Sequence, residues 1–207
     1  MRQKHFDKKA ALKYGWDWFR AKVKFFILVM IIITLLKYAP KFIANALPDE
    51  AAFFTALVLF ISWIATVLVD MGFLRINFNI YDGADVTLQT LFSEVSIFFK
   101  YLVTSLIYGL AVGLGLILLI VPGIFLGVSL QFAPLLVVDK GVGPIAAIKE
   151  SWRITKNARW QLFIFGLIIV GINVLGILFL LIGTLITIPV TTLATVWVYR
   201  ELIKQSG

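Results

Sequence analysis

The sequence predicts an all-α, polytopic integral membrane protein. Six transmembrane helices are expected as three hairpins, each preceded by an interfacial amphipathic helix. Three observations carry this reading. Tyr101–Val138 is an unbroken run without a charge. As one helix it would extend roughly 57 Å, nearly twice the ~30 Å of a bilayer's hydrocarbon core. Trp160–Tyr199 is a second uncharged run of similar length, so each run must fold back on itself as two spans. The cations lie beside these runs rather than inside them. Segments expected in the cytoplasm hold 17 Lys and Arg, against Lys37 and Lys41 outside, as the positive-inside rule requires. Both termini are therefore expected in the cytoplasm.

Composition agrees. The chain of 207 residues is 61% hydrophobic and 14% charged, with a mean hydropathy of +0.99, where soluble domains carry about 25% charged residues. A single membrane domain, residues 1–207, is expected. The net charge of +8 would suit nucleic acid, but its placement beside apolar runs reads as a topology signal, so no nucleic-acid partner is expected. The absence of cysteine excludes disulfides and thiolate metal sites.

In chain order, Leu12, Trp16, Phe19, Val23 and Phe26 recur at helical spacing. Lys13, Asp17, Arg20 and Lys24 recur on another face. This predicts a first interfacial helix, aromatics towards lipid and cations towards headgroups; the plainer reading is a topology signal beside a span. Ala44-Asn45-Ala46 resembles a cleavage site. However, a long charged segment that includes Asp7 and Asp17 precedes the apolar core, and Lys37 and Lys41 precede the cut, so an uncleaved span is expected.

Span 1 is expected at about Val23–Ala39, with Lys37 snorkelling at its far end. Pro40, Pro48, Asp49 and Glu50 form the first outside loop, and span 2 runs from Ala51 to Val69, closed by Asp70. Tyr81-Asp82-Gly83-Ala84-Asp85 reads as a turn with Asp85 as N-cap. Leu88, Leu91, Phe92, Val95 and Phe99 then mark a second interfacial helix. Spans 3 and 4 are the Tyr101–Val138 hairpin, turning at or near Pro122-Gly123; a shallow re-entrant hairpin is the alternative, because backbone in lipid must bond internally. A third interfacial helix spans Pro144–Thr155. Spans 5 and 6 turn near Gly176–Gly183.

The three units share one plan. Ala11-Leu12-Lys13-Tyr14-Gly15-Trp16 aligns with Ala147-Ile148-Lys149-Glu150-Ser151-Trp152 and, more loosely, with Thr87-Leu88-Gln89-Thr90-Leu91-Phe92. A threefold repeat over residues 10–75, 85–139 and 144–203 is one explanation; shared interfacial chemistry is the other.

Little in the sequence is shaped for catalysis. His5 is the one histidine and lies in a charged tail. The acidic residues Asp70, Asp82, Asp85, Glu94, Asp139, Glu150 and Glu201 are all expected at or outside span ends, not at mid-membrane as in proton relays. No acid/base pair or phosphate-cradling glycine motif has usable spacing. No enzyme, metal or cofactor is expected. Within the spans Gln131 and Asn173 are the strongest polar groups; each reads as interhelical glue or as part of a polar pathway. Gly109, Gly113 and Gly115, like Gly166 and Gly171, stand at small-residue spacing that permits close helix contact.

The third interfacial helix is the best functional candidate. Lys149, Arg153 and Lys156 share one face, opposite Ala147, Ile154 and Ala158, and Trp152 and Trp160 sit where aromatic anchors do. With Arg159, and with Lys13, Arg20 and Lys24 of the first helix, they form a basic, aromatic rim. Such a rim suits anionic lipid headgroups, at about 1 kcal/mol per cation near the surface, or a membrane-protein partner. The alternative function is a small transporter, channel or peptide-immunity protein using the bundle interior.

Val121-Pro122-Gly123-Ile124, Ala133-Pro134, Val138-Asp139-Lys140 and Ala146-Ala147-Ile148-Lys149-Glu150-Ser151-Trp152-Arg153 resemble the YciC-like family of small six-span bacterial inner-membrane proteins of unknown function. They also resemble the membrane domain joined to some glycerophosphodiester phosphodiesterases. The resemblance implies a multi-pass protein of a bacterial or archaeal plasma membrane. It supplies no catalytic residues, and no phosphodiesterase domain is present in this chain.

Overall fold

The computed structural model describes residues 4–179 and 182–206. Arg2 and the middle of the Gly176–Gly183 turn lie outside them. Among the described residues the chain forms helices and no strands. Nine are α-helical: α1 (Lys8–Ala21), α2 (Val23–Ala46), α3 (Ala52–Tyr81), α4 (Phe98–Leu118), α5 (Ile120–Leu130), α6 (Ala133–Lys140), α7 (Pro144–Thr155), α8 (Arg159–Leu178) and α9 (Thr184–Lys204). Among the described residues, five stretches are long and apolar enough to cross a membrane: Val23–Ala46, Ala52–Tyr81, Leu88–Leu118, Ile120–Lys140 and Arg159–Leu178. The sixth expected span, α9, is not among them, because it carries five threonines and ends in the charges of Arg200, Glu201 and Lys204.

The bundle has a dense base and bare tips. Phe78, Phe132, Leu136, Ile154, Leu162 and Tyr199 pack into one buried cluster at the base. The other ends of the helices present Phe42, Ile117, Leu118 and Phe179, each more than 70% exposed, which is how apolar surface is arranged when lipid is the solvent. Both described chain ends lie at the base. His5 N–H donates to Gln205 Oε1 (3.1 Å), and Gln205 Nε2 donates back to the His5 carbonyl (2.9 Å).

Three contacts join the short segments at the base to the long helices. Gly15 of α1 lies so close to α9 that a Cβ there would collide with the Val190 carbonyl oxygen. Leu91, in a 3-10 helix (Leu88–Phe92), closes on α3, where a Cβ on Gly72 would collide with the Leu91 backbone. Ser151 of α7 accepts from Phe132 N–H (3.2 Å) and donates to the Ser129 carbonyl (3.1 Å), bonding groups at the break between α5 and α6. Gly15, Leu91 and Ser151 are aligned positions of the three sequence units.

Several boundaries differ from expectation. α2 passes Ala39 and Pro40 and ends at Ala46. Pro40 removes the N–H that would bond the Leu36 carbonyl, and Ser62 Oγ of α3 donates to that carbonyl instead (3.4 Å). α3 does not stop at Asp70 but continues to Tyr81, 30 residues or about 45 Å. Its internal charges are neutralised: Asp70 pairs with Lys37 (2.6 Å) and Arg75 with Glu94 (2.7 Å). Lys37 therefore does not snorkel outward, and Asp70 is not at a helix end.

The turn of the first uncharged run falls at extended Leu119, near the expected Pro122-Gly123 pair rather than on it. Proline is tolerated in a helix's first turn, so Pro122 sits inside the first turn of α5. Gly123 instead lets α5 close on Gly115 of α4, whose Cβ would stand 2.8 Å from Gly123 Cα. The second expected interfacial helix is two 3-10 helices, Leu88–Phe92 and Val95–Ile97, capped by a Thr87/Thr90 box rather than by Asp85. Gly109, Gly113, Gly166 and Gly171 have nothing within 4 Å of where a methyl would stand, so they are not close-contact positions; Gly115 is.

Candidate functional site

The rim is built at the base from α1, α7 and the start of α8. On α1 the buried stripe is Ala11, Gly15 and Phe19. Lys13 and Arg20 point outward, as does Lys24 at the start of α2. Of the aromatics expected to face lipid, Trp16 is 44% exposed, whereas Phe19 is buried, because it continues the stripe of small residues at positions 11 and 15 that α9 approaches. On α7 the expected faces are found: Ala147 and Ile154, with Ala158 beyond the helix, are buried, while Lys149, Trp152, Arg153 and Lys156 are exposed.

The cations divide into two groups. Arg153 is held by Glu150 in a two-point contact (2.8 and 2.7 Å) and donates to the Ser206 carbonyl (2.7 Å). Its guanidinium holds the Glu150 carboxyl below the usual glutamate range, and the same bond raises Arg153. Lys4 donates to the Ile154 carbonyl (3.0 Å) and is lowered, first by burial and then by nearby Arg153. Arg200 bridges Asp82 (2.6 Å) and Asp139 (2.9 Å), and Tyr199 also donates to Asp139 (2.8 Å). Arg153 and Arg200 thus serve the fold. Lys13, Arg20, Lys24, Lys149, Lys156 and Arg159 take part in none of the ion pairs among the described residues.

Arg159 stands apart from these. It opens α8 where Asn157, at φ +69°, turns the chain out of α7. Its guanidinium lies over the Trp152 ring (4.2 Å to the centroid) and the Phe125 ring (4.6 Å), and those rings meet edge to face at 5.6 Å. Nε and Nη2 are buried and have no hydrogen-bond partner. On one side of Arg159 is a cleft of about 330 Å³ with Asn157, Trp160 and Gln161. On the other is an apolar cleft of about 340 Å³ between α5 and α8, lined by Val121, Ile124, Phe125, Val128, Trp160 and Phe163. Trp160 stacks on Phe163 at 5.5 Å. The sequence groups Arg159, Trp152 and Trp160 by proximity. Phe125 was missed: it lies on a distant stretch of the chain and carries no signal of its own.

The intramembrane polar candidates separate. Asn173 Nδ2 donates to Thr191 Oγ1 of α9 (3.3 Å), joining two helices. Gln131 Nε2 donates to the Val128 carbonyl (3.0 Å) of its own segment. Neither lines the clefts at Arg159. A further cleft, about 300 Å³ between α2 and α3, is lined by Lys37, Tyr38, Lys41, Ser62, Trp63 and Thr66 among others. No group of three or more His, Asp or Glu among the described residues is placed to hold a metal.

Residues 51–206 match a family described as a domain of unknown function, DUF7847. The chain belongs to that family. It is 30% identical over 150 residues to the uncharacterized protein Rv2560 of Mycobacterium tuberculosis and, to the same extent, to the uncharacterized protein Mb2590 of Mycobacterium bovis. Each match covers 70% of this chain and 46% of the relative, so the chain spans about half the length of the curated relatives it matches. No solved structure matches it. The family and the relatives name no catalytic activity, and the long apolar helices mark a membrane protein.

Proposed function

We propose that this chain is a non-enzymatic, six-span protein of a bacterial or archaeal plasma membrane that binds anionic lipid through a basic, aromatic cytoplasmic rim. The observation that carries the lipid reading is the division of cations. Those at positions 75, 153, 200 and 204 are paired within the protein, while those at 13, 20, 24, 149, 156 and 159 are left for something outside it. The described ends of the chain bond to each other at the base, which favours an even number of crossings and so supports α9 as the sixth. With α9 included, the spans form three hairpins, and the equivalent contacts of Gly15, Leu91 and Ser151 support a threefold repeat. Kinship with the YciC-like family would add further membrane proteins of no established activity.

The test uses protein reconstituted in mixed phosphatidylcholine and phosphatidylglycerol. Enrichment of phosphatidylglycerol at the protein is read by quenching of tryptophan with brominated lipid. At about 1 kcal/mol per cation, reversing Lys149 and Lys156 to Glu removes at least about 2 kcal/mol, a preference of roughly thirtyfold. An unchanged preference overturns the reading. A second reading, a polar pathway, is favoured by the Lys37–Asp70 pair and its cleft rather than by Gln131 and Asn173, since ionisable groups within a span mark such paths. It requires ion or solute flux across liposomes that Asp70→Asn abolishes.

A further inference from the structure

Arg159 differs from the other unpaired cations in a way that defines a site. The lysines at positions 13, 24, 149 and 156 are exposed, and water solvates them. Arg159 has Nε and Nη2 closed off from solvent with no partner, and a guanidinium does not shed its proton in proteins. Arg159 as a whole is half-buried, and a charge held there with two unpartnered N–H groups and no counter-charge is costly. Glu150 and Asp139 are committed elsewhere: Glu150 to Arg153, and Asp139 to Arg200 and Tyr199. The two rings that clamp Arg159 fix the plane of the guanidinium, and a planar, pre-set guanidinium suits phosphate oxygens.

The clefts on its two flanks differ in chemistry. One offers the side-chain amides of Asn157 and Gln161. The other is walled by Val121, Ile124, Phe125, Val128 and Phe163 and opens on the bare apolar surface, where Val121 is 77% exposed. A soluble phosphate would use only the first, and a neutral hydrocarbon only the second. An anionic amphiphile uses both and supplies the missing counter-charge.

We infer that Arg159 is the phosphate-binding residue of a single-lipid site. It takes one anionic phospholipid, with an acyl chain lying in the groove between α5 and α8. The inference rests on the lipid reading above but narrows it from a diffuse rim to a stoichiometric site. The rim lysines attract many headgroups weakly; this site holds one lipid.

The test is native mass spectrometry of the full chain in detergent, titrated with phosphatidylglycerol, phosphatidylcholine of the same chains, or inorganic phosphate. One phosphatidylglycerol per chain is expected to survive activation that strips phosphatidylcholine. Losing a charged hydrogen-bond pair weakens binding by about tenfold or more, so Arg159→Gln is expected to lower phosphatidylglycerol affinity by that factor. Ile124→Trp, which fills the groove and leaves the guanidinium in place, is expected to release the lipid as well, and it decides the matter if Arg159→Gln does not fold. Retention by both variants, equal retention of phosphatidylcholine, or displacement of the lipid by inorganic phosphate at matching concentration each overturns the site. The Lys149→Glu/Lys156→Glu double variant keeps the single lipid while losing bilayer enrichment. If it loses neither, the rim reading fails and the site stands; if only the Arg159 and Ile124 variants are without effect, the site fails and the rim stands.

Discussion

The base of the bundle and the lipid-facing middle of its helices use glycine in opposite ways. At the base Gly15 and Gly72 admit a backbone carbonyl from another segment into the space a methyl would fill. Along α4 and α8, Gly109, Gly113, Gly166 and Gly171 meet nothing within 4 Å. The same residue type is a docking surface in one region and a bare stretch of helix in the other. Lipid tails are as apolar as leucine, so no hydrophobic force gathers the exposed arms; close backbone packing and internal polar bonds must hold the base together.

The largest expected effect follows directly. Gly72→Val must displace Leu91 backbone, and overpacking of that kind costs about 3 kcal/mol. Loss of monodisperse protein in detergent and a collapse of the melting transition are expected, with Gly15→Val close behind. Gly109→Ala and Gly166→Ala should leave the melting temperature unchanged or raise it, because alanine gains up to about 1 kcal/mol over glycine in a helix interior. Equal damage at positions 72 and 109 would erase the contrast.

Lys37 and Asp70 sit between the two regions, and their effect should be intermediate. The pair joins α2 to α3 across 2.6 Å. Lys37→Met strands a carboxylate within a span, at a cost of about 2 kcal/mol. Lys37→Met/Asp70→Asn together should recover most of it, since the partner left behind is what destabilises. Additive single losses in a double-mutant cycle would show that the pair contributes no coupling.

These cases also show which features are local to the chain and which are not. The two uncharged runs reveal long apolar helices because length against bilayer thickness is a local property. The buried face of α7, Ala147 and Ile154, is equally local, set by helical period. Asp70 and Arg75 look like the end of a span because their partners, Lys37 and Glu94, are remote or lie beyond a turn, and pairing removes the reason for the helix to stop. Pro122-Gly123 looks like a turn, but proline fits a helix's first turn as well as a loop, so the reversal moves to Leu119. Arg159 is one of five cations between positions 140 and 159. Nothing in that row says which is clamped between rings, because one ring, Phe125, belongs to α5.

The smallest expected effect is at the surface of the base, where Glu150 meets Arg153. Unlike Asp139, whose side chain is nearly buried against Arg200, this pair is open to water. Such pairs contribute a few tenths of a kcal/mol. Their pH dependence nevertheless has a definite sign. Hydrogen bonding from Arg153 holds the Glu150 carboxyl below its ordinary value, and the charges of Arg153, Lys140 and Lys4 act in the same direction, with burial opposing them. The unfolded chain therefore takes up the proton first as pH falls. The stabilisation is fully present above the ordinary glutamate range and is lost as pH drops through the lower folded value. Arg153, itself raised by the same bond, stays charged across that window. Glu150→Gln should lose a few tenths of a kcal/mol near neutrality and show a shallower fall in melting temperature on acidification than the parent. Parallel acid limbs for the two proteins would mean that the carboxylate is no better held in the folded rim than in the unfolded chain.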